Sequence, residues 1–321
     1  MLQSLRPQAV KFTSPKKMTT RRYVAFDLDN TLGYFETVGP LAYFFSPEFL
    51  SNVEERVGNG PLRITRSLIA KLAHVRAAFA SNLLKHPELL KKVLRPNIDA
   101  LIKPILKAKK DRVKVTVIIY SNTGNSFSTH LAKALIETKF KCPGLFSLIA
   151  DVFHPLRKPE TAPATPGANG FLNPDKTVPV LLRLLEEGEK RTSRGPSATI
   201  HPETVAFIDD RTPVHRIAEA VPYGLTYIKP TQFAPKLKVA ERREILSLAL
   251  DAMETLLSNE EYLASGICNR RIGSKVIRGF PDLFSYVWEA MNETYIKPAD
   301  WVDDTFSLET QMRGFFEKQH R

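Results

Sequence analysis

Tyr23 to Phe26 form an unbroken apolar run, Y-V-A-F, that passes directly into D-L-D-N-T-L-G. A run this short, closed by Asn30 and Gly33, predicts a buried strand ending in a turn. The strand delivers Asp27 and Asp29 to its C-terminal end, where open α/β sheets hold their ligands. Set i and i+2 along extended chain, the two side chains are expected to point the same way. Carboxylates so placed are costly to keep ionised unless a positive charge lies between them or one carries a proton. Mg²⁺ meets that need, since it takes oxygen ligands at about 2.1 Å and uses one or two carboxylates alongside phosphate oxygens.

Two further stretches repeat the pattern. V-K-V-T-V-I-I-Y, residues 113 to 120, is rich in β-branched residues, as central strands are, and it exits into Ser121-Asn122-Thr123-Gly124. T-V-A-F-I-D-D, residues 204 to 210, again delivers carboxylates, Asp209 and Asp210. Leu145 to Val152 and G-L-T-Y-I near residue 226 predict two more short strands. Helical patterns lie between these runs, at about 126–138 and from Asp175 to near Gly188. Strand and helix alternating in this way predict an α/β fold, a Rossmann-like parallel sheet flanked by helices, whose strand exits converge on one edge.

Other segments surround that frame. Residues 1–21 carry basic residues and no acidic one, and predict a flexible basic arm; a nuclear-import or nucleic-acid role and an organellar transit segment are the alternatives. Between 34 and 93 the chain is expected to form a mostly helical, cap-like insert, with a helix start at Ser46-Pro47 and apolar residues at helical spacing from Thr65 to Leu84; a helix pair that only completes the core is the plainer reading. Asn97 opens a helix, N-I-D-A-L-I-K-P-I-L-K-A-K-K, that is expected to end in the charged turn at 109–112 and that Pro104 is expected to bend or shorten. His154 to Pro174, with its prolines and glycines, is expected to be a long surface loop. A periodic helix is predicted over 238–258 within a mainly helical extension, 235–321. W-V-D-D at Trp301 is expected to be a helix or loop face. His130, His154, His201 and His215 lack metal-ligand spacing.

Composition narrows the partners. A net charge of +12 attracts anions, whether nucleic acid, phosphoprotein or small phosphate esters. No apolar run approaches the length of a membrane span. Cys142 and Cys268, the only cysteines, make neither a disulfide framework nor a zinc cluster, which suggests a reducing intracellular compartment, cytoplasm or nucleus.

These residues carry a resemblance. F-D-L-D-N-T-L-G is similar to the first motif of the haloacid dehalogenase-like superfamily, D-x-D-x-T; I-I-Y-S-N resembles its second motif and F-I-D-D its fourth. L-R-P-N-I-D-A-L-I and F-I-D-D-R-T-P resemble the branch of phosphatases acting on the C-terminal domain of RNA polymerase II and their small relatives. The resemblance covers about residues 22–33 and 94–230, which implies a catalytic domain over 22–234. It implies Asp27 as the nucleophile that forms an aspartyl-phosphate, and Asp29 as the acid that protonates the leaving group and then activates water. Mg²⁺ would be held by Asp27, the main-chain carbonyl of Leu28 and Asp210, with Asp209 direct or through water and Asp29 beside them. Ser121 and the main chain near Asn122 would bind phosphoryl oxygens, and Thr31 would hold the turn. Two lysines fit the phosphate-contacting position: Lys176, which is preferred, and Lys158 in R-K-P.

The function so implied is Mg²⁺-dependent hydrolysis of phosphoserine or phosphothreonine in a protein. A phosphatase for nucleotides or nucleic-acid ends is the alternative that the positive charge favours. A non-catalytic module that docks partners on the phosphate site is the third.

Overall fold

The computed structural model describes residues 21–47, 63–157, 164–166, 172–174, 176–192, 199–211, 216–257, 259–268, 270–272, 274–293 and 301–318. The basic arm to residue 20, most of the helix expected from Ser46-Pro47, Lys158, Thr212 to His215 and much of the basic connector before Ile200 lie outside them.

The Y-V-A-F run belongs to β1 (Arg21–Phe26), and the β-branched run is β2 (Lys114–Tyr120). With β3 (Leu148–Ala150), β6 (Val205–Ile208) and β7 (Thr226–Ile228) they form one five-stranded sheet in the order β3-β2-β1-β6-β7. Every pairing in it is parallel, with Phe26 level with Ile119 on one side and Ile208 on the other. The chain builds outward from β1 in one direction and then crosses back to begin again with β6. The strand order therefore reverses between β1 and β6, the point at which such sheets open a crevice. This is the expected Rossmann-like α/β architecture.

Alternation along the strands sorts side chains onto two faces. Val24, Phe26, Val117, Ile119, Ala206 and Ile208 join the larger apolar cluster. Tyr23, Ala25, Ile118, Tyr120, Val205 and Phe207 face the other way, against α6 (Val178–Thr192) and the 3-10 turn at Arg216–Tyr223. The larger cluster takes in α1 (Ala42–Phe45), α2 (Arg66–Leu84), α3 (Pro87–Val93), α4 (Ile98–Lys110) and α5 (Ser126–Lys139). It also holds residues of α7 (Val239–Leu257), α8 (Glu260–Ala264), α9 (Phe280–Glu293) and α10 (Thr305–Glu317). Leu68, Leu72, Phe79 and Leu83 of α2 are buried in the same core as the sheet face, as are Leu308, Met312 and Phe315 of α10. Among the described residues, no helix is long and apolar enough to cross a membrane.

Local signals explain the helix starts. Thr65 caps α2 by accepting from the Leu68 N–H at 3.1 Å, and Pro87 occupies the first turn of α3. Two expectations are corrected. α4 is not cut short at Pro104 but runs on to Lys110. An interior proline costs about 3 kcal/mol, while burial of each of Ile98, Leu101, Ile102 and Ile105 returns about 1.5–3 kcal/mol. The stretch from His154 to Pro174 is not wholly irregular: β4 (Ala164–Pro166) and β5 (Leu172–Pro174) pair antiparallel within it. A two-stranded ribbon has only edge strands, so proline is tolerated where no N–H is needed.

α6 approaches the sheet through Gly188, where an added Cβ would meet Ser147 Oγ at 2.8 Å and Ile118 at 3.0 Å. Gly188→Val is expected to lower stability by about 1–3 kcal/mol, read as a shift of the urea midpoint. A wild-type midpoint would show that this contact does not set the spacing of helix and sheet.

Candidate active site

The sheet brings three exits to one edge. The backbone N–H of Asp27 donates to Ile208 O at 2.8 Å, that of Ser121 to Ala150 O at 3.0 Å and that of Asp209 to Ile228 O at 3.1 Å. Each residue is thus held one step beyond the last regular strand position. Asp27 and Asp209 lie on either side of the reversal in strand order, so the crevice opens between two carboxylates.

Asp27, Asp209 and Asp210 form a cluster in which one oxygen from each lies within 4.8 Å of the others, an arrangement that can hold a metal ion. Lys176 reaches into it from the segment just before α6. Its ammonium is 2.5 Å from Asp27 Oδ1 and 2.8 Å from Asp209 Oδ2, with its side chain 1% exposed. The Phe207 ring lies 5.4 Å from the nitrogen. Burial alone would lower the lysine, but Asp27 and Asp209 outweigh it and raise its pKa. Asp209 is likewise opposed by burial yet held below its usual range by Lys176 and the Arg211 N–H. Asp27 is raised, first by burial and then by Asp209, against the pull of Lys176. Asp210 is pushed up to about 6 by burial and by Asp27 and Asp209. One ammonium bonded to two of three clustered carboxylates leaves an excess of negative charge, and a divalent cation suits that excess.

The turn from Asp27 to Gly33 separates the two carboxylates of the opening motif. β1 stops at Phe26, and Asn30 turns the chain with φ 62°. Asp29 is half-buried, accepts from the Phe35 N–H at 3.4 Å and lies outside the three-carboxylate cluster. The cluster brings together, across the crevice, Asp27, Asp209 and Asp210, three of the carboxylates expected to hold the ion, and Asp29 is not among them. Burial pushes the Asp29 carboxyl up to about 8, with Asp27 and Glu36 adding to it. The Leu28 carbonyl, expected among metal ligands, accepts from the N–H groups of Leu32 at 2.9 Å and Gly33 at 3.4 Å, and so closes the turn. Thr31 Oγ1 donates to Asp210 Oδ1 at 3.2 Å and accepts from the Asp210 N–H at 3.0 Å. The turn and the β6 exit are thereby tied together.

Ser121 is buried, and its Oγ accepts from the Thr123 N–H at 3.2 Å. Asn122 Oδ1 and the Ser121 carbonyl accept from Arg157, whose guanidinium lies 4.7 Å above the Tyr120 ring. Arg157 escaped the sequence reading, which drew only Lys158 from the same R-K-P; Lys158 lies outside the described residues. Arg95 was also missed as a site residue, though R-P-N marked its position. It is buried, donating to Thr31 O at 2.8 Å and Asn30 O at 2.7 Å. The expected loop face at W-V-D-D holds Asp304, which meets Arg95 at 3.4 Å. A cavity of about 680 Å³ adjoins the cluster, lined by Asn30, Asp210, Arg211, Lys229, Thr231 and Gln232 among others. Its volume lies within the range of small-molecule sites.

Lys176→Met removes the buried countercharge of two carboxylates and is expected to cost about 3–5 kcal/mol of stability, measured by urea unfolding. A divalent cation should restore part of that loss by replacing the missing charge. Unchanged stability would show that the ammonium does not balance Asp27 and Asp209. No protein-family model matches the chain and no curated protein matches it, so the chemistry of the site is read from its own residues.

Proposed function

We propose that this protein is a haloacid dehalogenase-like, Mg²⁺-dependent phosphomonoester hydrolase that works through an aspartyl-phosphate on Asp27. The observation that carries the reading is Asp27 at the sheet reversal, clustered with Asp209 and Asp210 and bonded to the Lys176 ammonium that it shares with Asp209. Anionic nucleophile and anionic phosphate repel each other, and a site that attacks one with the other needs concentrated positive charge. Lys176 supplies part of it. Mg²⁺ on Asp27, Asp209 and Asp210 would supply the rest, screening the phosphoryl oxygens.

In the first step an Asp27 carboxylate oxygen attacks phosphorus, and the bond from phosphorus to the leaving oxygen breaks. Asp29 gives its proton to that oxygen, a role supported by the burial that keeps the carboxyl protonated near neutral pH. In the second step Asp29, now a carboxylate, takes a proton from water. The water oxygen bonds to phosphorus, the bond from phosphorus to the Asp27 oxygen breaks to restore the carboxylate, and inorganic phosphate leaves. Lys176 and the N–H groups beside Asn122 stabilise the transferring oxygens.

Phosphoserine or phosphothreonine in a protein is the proposed substrate, on the likeness of R-P-N and F-I-D-D-R-T-P to the polymerase phosphatases. The +12 charge favours nucleotides or nucleic-acid ends as a second class.

Hydrolysis of an aryl phosphate is expected to require Mg²⁺, to stop with EDTA, and to fall to background in Asp27→Asn. Asp29→Asn should lower kcat by about 10²–10⁴-fold, with the larger loss on substrates whose leaving groups are poor. Turnover unchanged by EDTA or by Asp27→Asn would sink the reading. A panel of phosphopeptides, nucleotides and end-phosphorylated oligonucleotides then separates the two substrate classes by kcat/KM.

A further inference from the structure

We propose that Asp304 is a positioning residue for the carboxylate cluster, acting through Arg95 and Thr31 on Asp210. The proposal rests on the cation-binding reading of that cluster. Asp304 lies at the start of α10, far in sequence from every strand exit, and both its oxygens are engaged. Oδ1 accepts from Asn97 Nδ2 at 2.7 Å and from Arg95 Nη1 at 3.4 Å; Oδ2 accepts from the Thr231 N–H at 2.6 Å. Arg95 carries the connection inward. Its side chain is 0% exposed, and its Nε and Nη2 donate to the carbonyls of Thr31 and Asn30, with a further bond from Nη2 to Thr231 O.

The Arg95 fork therefore grips the outer rim of the Asp27–Gly33 turn at two consecutive carbonyls. Thr31, whose carbonyl it holds, is the residue whose hydroxyl both donates to and accepts from Asp210. A shift of Thr31 is passed directly to one of the three clustered carboxylates.

A buried guanidinium needs a countercharge. Among the described residues, Asp304 is the carboxylate paired with Arg95 within 4 Å. Its removal takes away the carboxylate paired with the fork and leaves carbonyl acceptors and the more distant charge of Asp210, so the guanidinium is driven to move or hydrate, and the turn it grips moves with it. Groups that orient metal-binding carboxylates in this manner typically contribute 10–100-fold to metal affinity. The same bonds seat Thr231, which lines the cavity beside the cluster.

The test is the dissociation constant of Mn²⁺, followed by electron paramagnetic resonance on the full chain, with thermal unfolding in parallel. Asp304→Asn, which removes the charge and little volume, is expected to weaken Mn²⁺ about 10–100-fold, and to lower kcat far more than it raises KM. Asp304→Glu keeps the countercharge and displaces it by one methylene, so it should keep the fold and weaken Mn²⁺ by a smaller factor. Asp303→Asn, on the exposed neighbour that accepts from the Thr305 N–H and hydroxyl, should match wild type and support the assignment to Asp304. Wild-type Mn²⁺ affinity in whichever Asp304 variant folds overturns the proposal while leaving the phosphatase reading intact. A wild-type chain that binds no Mn²⁺ overturns the cation-binding reading itself and this proposal with it.

Discussion

The buried ammonium of Lys176 between Asp27 and Asp209 is the contact on which the rest of the site depends. Two carboxylates at adjacent strand exits, each shielded from water, repel each other strongly at the effective dielectric of a protein interior. The sheet nevertheless brings them together, since parallel pairing of β1 with β6 sets Phe26 level with Ile208, and Asp27 and Asp209 are the next residues along each strand. Lys176 makes that register tolerable. It enters from just before α6, the helix packed on the Tyr120 and Phe207 face of the sheet, so the packing of Val180, Leu181 and Leu184 also places the charge. Core and site are in this sense one construction.

The balance left by a single ammonium has chemical use. A cluster fully neutralised by protein cations would have no call for a metal ion, and one with no cation would be costly to fold. Raised values at Asp27 and Asp210 beside a lowered one at Asp209 mark the intermediate case. Asp29 stands apart from this exchange. Next to the bend at Asn30 and bonded to the Phe35 N–H, it is governed first by burial and then by the charge of Asp27. Two acids two residues apart acquire different environments because Asp27 stays on the sheet edge, its N–H bonded to Ile208 O, while Asp29 lies in the turn against the Phe35 N–H.

Much of the sheet was legible from short apolar runs with polar exits, since a central parallel strand must be apolar on both faces and its termination is abrupt. That is why Tyr23–Phe26, the run before Ser121 and the run before Asp209 could be read in order and assigned to one edge. What escaped was of another kind. Pro104 is a helix breaker locally, yet the buried face of α4 outweighs it. The β4–β5 ribbon, A-T-P paired with L-N-P, sits in a stretch whose prolines and glycines signal loop, and only mutual pairing reveals it. Arg95, Arg157 and Asp304 act through burial and long-range hydrogen bonds, which no local period records. R-P-N and R-K-P drew attention for their family likeness and their lysine, while the guanidinium groups carried the geometry.

The two missed arginines share a physical task that explains their burial. Each strand exit ends in a turn whose carbonyls point away from the ladder and need donors. Arg95 satisfies Asn30 and Thr31 after β1, and Arg157 satisfies Ser121 after β2. An arginine suits both places because its planar fork bonds several acceptors at once and stays charged when buried. At the β1 exit the fork pairs with Asp304; at the β2 exit the guanidinium lies over the Tyr120 ring, with the charges of Asp151 and Asp27 favouring its ionised form. The β1 turn carries both Asp27 and Asp29, and it is the turn tied to the C-terminal segment. An edge that must hold several carboxylates close together is thus braced by cations behind its loops as well as by Lys176 within it. The segment bearing Asp304 belongs to that bracing even though it lies outside the strand and helix alternation that builds the sheet.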